Sequence, residues 1–204
     1  NRNSGIIDLM GSVAGFVPNF GLLTDEGRKA TWIVRIETTK KPEAQLLGSA
    51  IGMKVMAEVP FIVGLDQWLP GGLDEDAKTY LKDFGAATAS NGAVGLYHVE
   101  NITPEAVRYG KENAQVYVVD DAELERVYKS YPVIWKKKDA TPKLCFMGCP
   151  HMSLNQLIDW TKKIEESLKK YGKTRVCIPT VFTAAPAVLK KFEETPYAAT
   201  LKQA

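Results

Sequence analysis

The sequence predicts an α/β fold with mostly parallel sheets flanked by helices, in one domain or two small lobes. Three observations carry that expectation. Strand-like runs such as 31-TWIVRIET-38, 59-VPFIVGL-65 and 115-QVYVVD-120 alternate along the chain with helix-like segments. The helix-like segments repeat apolar residues three and four positions apart, the spacing of one helical face. A chain of 204 residues with 45% apolar content can bury a real core.

The elements follow in order. Residues 5–16 (GIIDLMGSVAGF) are apolar and rich in small residues, which predicts a buried helix. The polar turn 24-TDEGRKA-30 leads into the strand at 31–38. Pro42 suits the first turn of a helix running through 43-EAQLLGSAIGMKV-55. The strand 59–65 ends in the loop 66-DQWLPGG-72, and Ala77, Tyr80, Leu81 and Phe84 then recur at helical spacing over 74–84. A strand at 93-AVGLYHV-99 precedes a helix capped by Thr103 with Pro104 at its first position. The strand 115–120 is followed by a helix over 121-DAELERVYKSY-131.

The proline- and lysine-bearing stretch 132-PVIWKKKDATPK-143 marks a boundary at about 132–142, so lobes are expected over residues 1–131 and 143–204. In the second lobe the strand 143-KLCFMG-148 leads into a helix from Leu154 to Tyr171. Leu154, Leu157, Ile158, Ile164 and Leu168 share one face of it, and Gly172 is its natural stop. A strand at 174-TRVCIPTVF-182 and a helix from about Pro186 complete the pattern.

Charge excludes some functions. Charged residues make up 25% of the chain with a formal net of +2, which gives no electrostatic case for nucleic acid or an anionic membrane. Lysine groups such as 136-KKK-138 and 169-KK-170 are short and read as solvated faces. No segment reaches the ~18 apolar residues that span a bilayer. Three cysteines are odd in number and too few for a disulfide framework, so a reducing, cytoplasmic setting is expected. A start at Asn1 and an end inside the helix-like run 197-YAATLKQA-204 fit a piece of a longer protein.

Three stretches hold side chains suited to chemistry. In 148-GCPHMS-153, Cys149 precedes a helix start at which Ser153 and Gln156 form a capping box. The positive end of a helix favours a thiolate, which both a metal ligand and a nucleophile require. His151 is near enough in sequence to line the same pocket. The plain alternatives stand beside this: Cys149 as a structural thiol, His151 as a surface residue, Ser153 as a cap alone. Cys145 and Cys177 sit in apolar strand runs and are expected as inert core thiols. Second, 1-NRNSG-5 reads as a helix entry with Ser4 as cap, and 21-GLLTDEGRKAT-31 as a compact turn. In that turn Arg28 could grip an anion, or could simply pair with a local acid. His98 and Glu100, at a strand end, form a weaker third candidate.

In combination and in this order, 1-NRNSGIIDL-9, 20-FGLLTDEGRKAT-31, 97-YHVENITPEA-106 and 146-FMGCPHMSLNQL-157 resemble the aconitase X family across essentially the whole chain. The resemblance implies an aconitase-like fold and a hydro-lyase that dehydrates a small hydroxy acid, of the cis-3-hydroxy-L-proline or mevalonate 5-phosphate type. It implies an iron–sulfur cluster held by three cysteines. Cys149 matches one of them, and the other two lie outside these residues. It places Asn1, Asn3, Asp25, Glu26 and Arg28 at the substrate and Ser4, His151 and Ser153 at the catalytic centre. It implies two partners: the rest of the catalytic subunit and a small swivelling domain, fused or separate, that contributes a serine. On this reading the chain is an internal piece of the catalytic subunit, without an intact cluster or activity on its own. Two other readings remain open: a thiol enzyme with Cys149 as nucleophile and His151 or His98 as base, and a non-catalytic α/β docking module.

Overall fold

The computed structural model describes residues 5–109, 114–132, 134, 136–137 and 139–204. The chain divides into two compact units, Asn1–Tyr131 and Pro132–Ala204. The α/β class expected from the sequence is the one observed, and every strand pair in it is parallel.

The first unit begins with α1 (Gly5–Ala14) and two single 3-10 turns, Gly21–Leu23 and Glu26–Arg28. It continues through β1 (Trp32–Glu37), α2 (Ala44–Val55), β2 (Pro60–Val63), α3 (Glu75–Asn91), β3 (His98–Val99), β4 (Gln115–Asp120) and α4 (Asp121–Ser130). The strands form one sheet in the order β3-β2-β1-β4. Because side chains alternate across a strand, Trp32, Val34 and Ile36 share one face of β1. They join Ile62, Val99 and Val119 in a core closed by Leu47 and Ile51 of α2, Leu81 and Phe84 of α3, and Leu124 and Val127 of α4. Val34, Ile62, Leu47, Ile51 and Phe84 are fully buried, and each such side chain contributes about 1.5–3 kcal/mol.

Short-range chemistry fixes the helix starts. The carboxylates of Asp74 and Asp120 accept from the backbone N–H of Ala77 and Glu123, both at 2.8 Å. Five expectations for this unit change. Pro42 lies ahead of α2, whose N-cap is Glu43, because the Glu43 carboxylate takes the Leu46 N–H at 2.7 Å. Pro42 instead offers its carbonyl to the Tyr80 hydroxyl at 3.0 Å. Thr103 precedes only a 3-10 turn, Pro104–Val107, and its hydroxyl bonds the backbone of Val99 rather than capping the turn. The strand expected over 93–99 shrinks to His98–Val99, and α3 extends past residue 84 to Asn91. None of the residues of α1 is buried, and Ile6, Leu9, Met10 and Val13 stand exposed.

The second unit contains β5 (Cys145–Met152), α5 (Leu154–Lys170), β6 (Thr180–Ala184), α6 (Pro186–Glu193) and α7 (Pro196–Gln203). Its two strands pair with each other, and its core gathers Met152, Leu157, Phe192 and Ala198 with Leu154, Ile158 and Phe182. The second strand starts at Thr180 rather than 174. Pro179 has no N–H for a ladder, and its carbonyl receives the Cys145 N–H at 2.9 Å just before pairing begins. Gly172, at φ +61°, ends α5 as expected. Among the described residues no helix is long and apolar enough to cross a membrane.

Candidate functional site

The Gly-Cys-Pro-His stretch lies within β5 rather than in a loop after it. Its register explains its exposure. Met147 pairs with Phe182 and Met152 with Ala184, so the four residues 148–151 stand opposite Thr183 alone. A bulge of this kind leaves the extra residues out of the ladder and re-aims their side chains. Cys149 and His151 are accordingly exposed, while Met152 returns to the core. Gly148 makes the bulge possible. Its φ is +142°, and a Cβ there would stand 1.8 Å from Thr183 Oγ1. In place of that clash the Thr183 hydroxyl donates to the Gly148 carbonyl at 2.8 Å. The Cys149–Pro150 peptide is cis.

Immediately after the bulge, α5 begins with the expected capping box. Ser153 Oγ accepts from the Gln156 N–H at 3.2 Å, and Gln156 Oε1 accepts from the Ser153 N–H at 2.9 Å. Cys149 therefore sits four residues ahead of the helix N-cap.

The second chemically loaded place is the turn before β1. Gly27 closes it: a Cβ there would lie 2.0 Å from the Gly21 carbonyl oxygen. Its N–H donates to Thr24 Oγ1 at 3.1 Å. The Arg28 guanidinium grips the Glu105 carboxylate through Nε, at 3.1 Å, and through Nη2, while Nη1 donates to the Leu22 carbonyl at 2.9 Å. Asp25 accepts from Arg108 at 2.7 Å and from the Tyr109 hydroxyl at 2.8 Å. Glu26 pairs with Lys29 on the exposed side. Of the two readings of Arg28, an outside anion or a nearby acid, the fork is engaged by an acid of the same unit.

His98 ties this turn to the sheet. It is 1% exposed and lies on β3 against the rings of Phe61 and Tyr109. Its Nε2 is 2.8 Å from the Arg28 carbonyl. A carbonyl can only accept, so Nε2 carries the proton. Burial pushes the imidazole pKa below its usual value, against the opposing pull of that hydrogen bond and of Glu105. The Asp25 hydrogen bond raises the Tyr109 phenol. The His98 Nδ1 keeps the lone pair that a base needs, but at 1% exposure the ring is closed off from solvent. Glu105, Arg108 and Tyr109 went unnoticed in the sequence, because they meet Arg28 and Asp25 only across 77 to 84 residues of chain.

The other candidate residues fall in several places. Asn1, Asn3 and Ser4 lie outside the described residues. Cys177 is exposed and Cys145 partly so, which corrects their placement as core thiols. Cys177 belongs to the segment before β6, not to a strand, and nothing buries it. Among the described residues no group of three His, Cys, Asp or Glu is placed to hold a metal ion. These residues therefore do not fit an iron–sulfur cluster by themselves; Cys149 is one exposed thiol of the several such a cluster takes.

Comparison with known proteins defines the class. Residues 30–129 match the family model of the aconitase X second domain. The crystal structure of Thermococcus kodakaraensis aconitase X in its holo-form superposes with a TM-score of 0.77 and 31% identity, over 100% of this chain and 49% of that one. The fold is thus that of an aconitase X-type α/β protein. The phosphomevalonate dehydratase large subunit of Thermococcus kodakarensis is 34% identical over 190 residues, 92% of this chain and 45% of that protein. Its counterpart from Methanosarcina mazei is 31% identical over 203 residues, 96% and 46%. The cis-3-hydroxy-L-proline dehydratase of Hypocrea jecorina is 27% identical over 162 residues, 74% and 26%. The chain is an aconitase X homologue, as its motifs indicate, and it spans under half the length of each of these relatives.

Proposed function

We propose that the protein to which these residues belong is a hydro-lyase that dehydrates a small hydroxy acid, with mevalonate 5-phosphate the favoured substrate type. The observation that carries this is the match along 92% of the chain to a phosphomevalonate dehydratase large subunit. Matches to cis-3-hydroxy-L-proline dehydratases are shorter, 74% and 52% of the chain.

In this reading residues 1–131 and 143–204 are two lobes of the catalytic subunit, joined at about 132–142. Cys149 is one thiolate of an iron–sulfur cluster whose other ligands come from outside these residues, and a small partner subunit or fused domain completes the site. Held by Cys149 and ligands from outside these residues, such a cluster would supply Lewis-acid chemistry for loss of a hydroxyl. The chain's own part is positional. The bulge presents Cys149 and His151 outside the ladder, and the Ser153 cap holds the start of α5 behind them. The network of Asp25, Arg28, Glu105 and Tyr109 holds the 20–29 turn in one shape, and Glu26, Asn1, Asn3 and Ser4 serve the substrate and its chemistry. The setting of the reaction is the cytoplasm.

The test uses the full-length gene product, co-expressed with any small partner and purified without oxygen. Iron and sulfide per chain are determined, and dehydration of mevalonate 5-phosphate and of cis-3-hydroxy-L-proline is assayed. Iron with turnover of the phosphorylated substrate is the expected result. Iron without turnover of either points to a third hydroxy acid, and a folded protein that binds no iron overturns the reading. Residues 1–204 alone are expected to hold no intact cluster and to lack activity, and a brown, active preparation of them would contradict this.

A further inference from the structure

The helix α5 carries one apolar face, and only its N-terminal half meets the core. Leu154, Leu157 and Ile158 pack against Phe192 and Ala198. Further along the helix Trp160, Ile164 and Leu168, each four residues on from the last, line an open groove of about 600 Å³ with Tyr171, Val176 and Cys177. Trp160 is 38% exposed and Tyr171 69%. An apolar helix face that runs on past its own core is covered along its whole length when its surroundings are complete.

The rim of the groove is basic. Lys163, Lys173 and Arg175 border it, and no carboxylate lines it. Lys163 lies over the Trp160 ring at 5.3 Å. Among the described residues no ion pair engages any of the three, whereas the neighbouring Lys169 is paired to Glu165 at 2.9 Å. The imbalance extends beyond the groove. Residues 132–204 hold 13 Lys and Arg against 6 Asp and Glu, while the whole chain is +2. An occupant complementary to this surface has an apolar stripe flanked by carboxylates. Relatives more than twice as long as the matched region supply a source for it within the same polypeptide.

We propose that this groove is the docking site of an acidic, amphipathic segment of the same subunit, lying outside residues 1–204. The inference needs the homology in length but not the hydro-lyase activity, so a failed dehydration assay leaves it standing. The segment seats apolar side chains on Trp160, Ile164 and Leu168 and pairs its acids with Lys173 and Arg175.

A photoreactive benzophenone amino acid at position 168 of the full-length subunit tests it. Irradiation is expected to give an adduct at the mass of a single chain, mapping to an acid-bearing peptide outside residues 1–204. An adduct with a second copy or with a separate partner subunit overturns the proposal, as does the absence of any adduct. Reversing the rim with Lys173→Glu and Arg175→Glu is expected to cut the cross-link yield by about fivefold or more, and an unchanged yield removes the acidic occupant. A measurement without substitution guards against a disturbed fold. Cys177 should be alkylated at least about tenfold more slowly in the native full-length subunit than in the urea-unfolded one; equal rates count against a covered groove.

Discussion

The 20–29 turn and the 148–151 bulge hold the chemically most suggestive side chains of the chain, yet they are built in opposite ways. The turn closes on itself. Arg28 is held by Glu105, Asp25 by Arg108 and Tyr109, and the Arg28 carbonyl by His98. The bulge opens outward, so Cys149 and His151 leave the ladder for solvent. Their surroundings differ in the same sense. Among the described residues the main core of the first unit draws on 21 buried residues, that of the second on 4. Ion pairs in the turn therefore set a shape, whereas the bulge presents a thiol that nothing in its own unit consumes. Arginine and acid in one motif do not by themselves mark a binding site, because the acid that answers the arginine can come from 77 residues away.

The largest effect is expected at the open site. Cys149→Ser in the full-length protein should lower dehydration by more than about 100-fold and reduce bound iron, since even partners behind a metal ligand are worth 10–100-fold. Normal iron with lost turnover would instead make Cys149 a nucleophile, and normal iron with normal turnover would make it a bystander. Next comes the closed unit's core. Phe84→Ala removes a fully buried ring and should cost about 3–5 kcal/mol in urea unfolding. A cost under 1 kcal/mol would mean that the core of the first unit is far looser than its packing implies.

Ser153→Ala should cost about 1 kcal/mol through the lost cap, and Ser153→Asp should recover it. If both variants lose turnover while the aspartate restores stability, the hydroxyl serves the reaction as well as the helix. The smallest effect is a pH slope from His98. Burial lowers its folded pKa, so below about 6.5 the unfolded chain takes up a proton that the folded chain refuses. Its contribution is complete above that pH and declines as pH falls toward the lowered folded value. Urea titrations between pH 7 and 5 should show the decline, and His98→Gln should flatten it.

Much of the fold was legible because it is local. The β-branched runs at 32–37, 60–63 and 115–120 became strands, and the Ser153–Gln156 box and Gly172 bounded α5 where spacing put them. Elements that depend on pairing were not. The segment 174–179 has the composition of a strand, yet the ladder waits for Thr180, after Pro179. Residues 93–97 likewise look strand-like, but only His98 and Val99 find partners on β2. The helix α1 was expected to be buried because its composition is apolar; burial also needs a partner, and composition names none.

By itself the sequence determined the α/β class, the order of the main elements and the motif in which Cys149 stands, since periodicity, caps and turn residues act over a few positions. Tertiary structure alone decided that Glu105 claims Arg28, that His98 locks the turn and that Gly148 faces Thr183. It also decided that Cys149 points outward from a bulge instead of lining a loop. Those outcomes depend on the register between strands and on contacts 35 to 77 residues apart. No local rule specifies such contacts, because they come only from the sheet that brings the residues together.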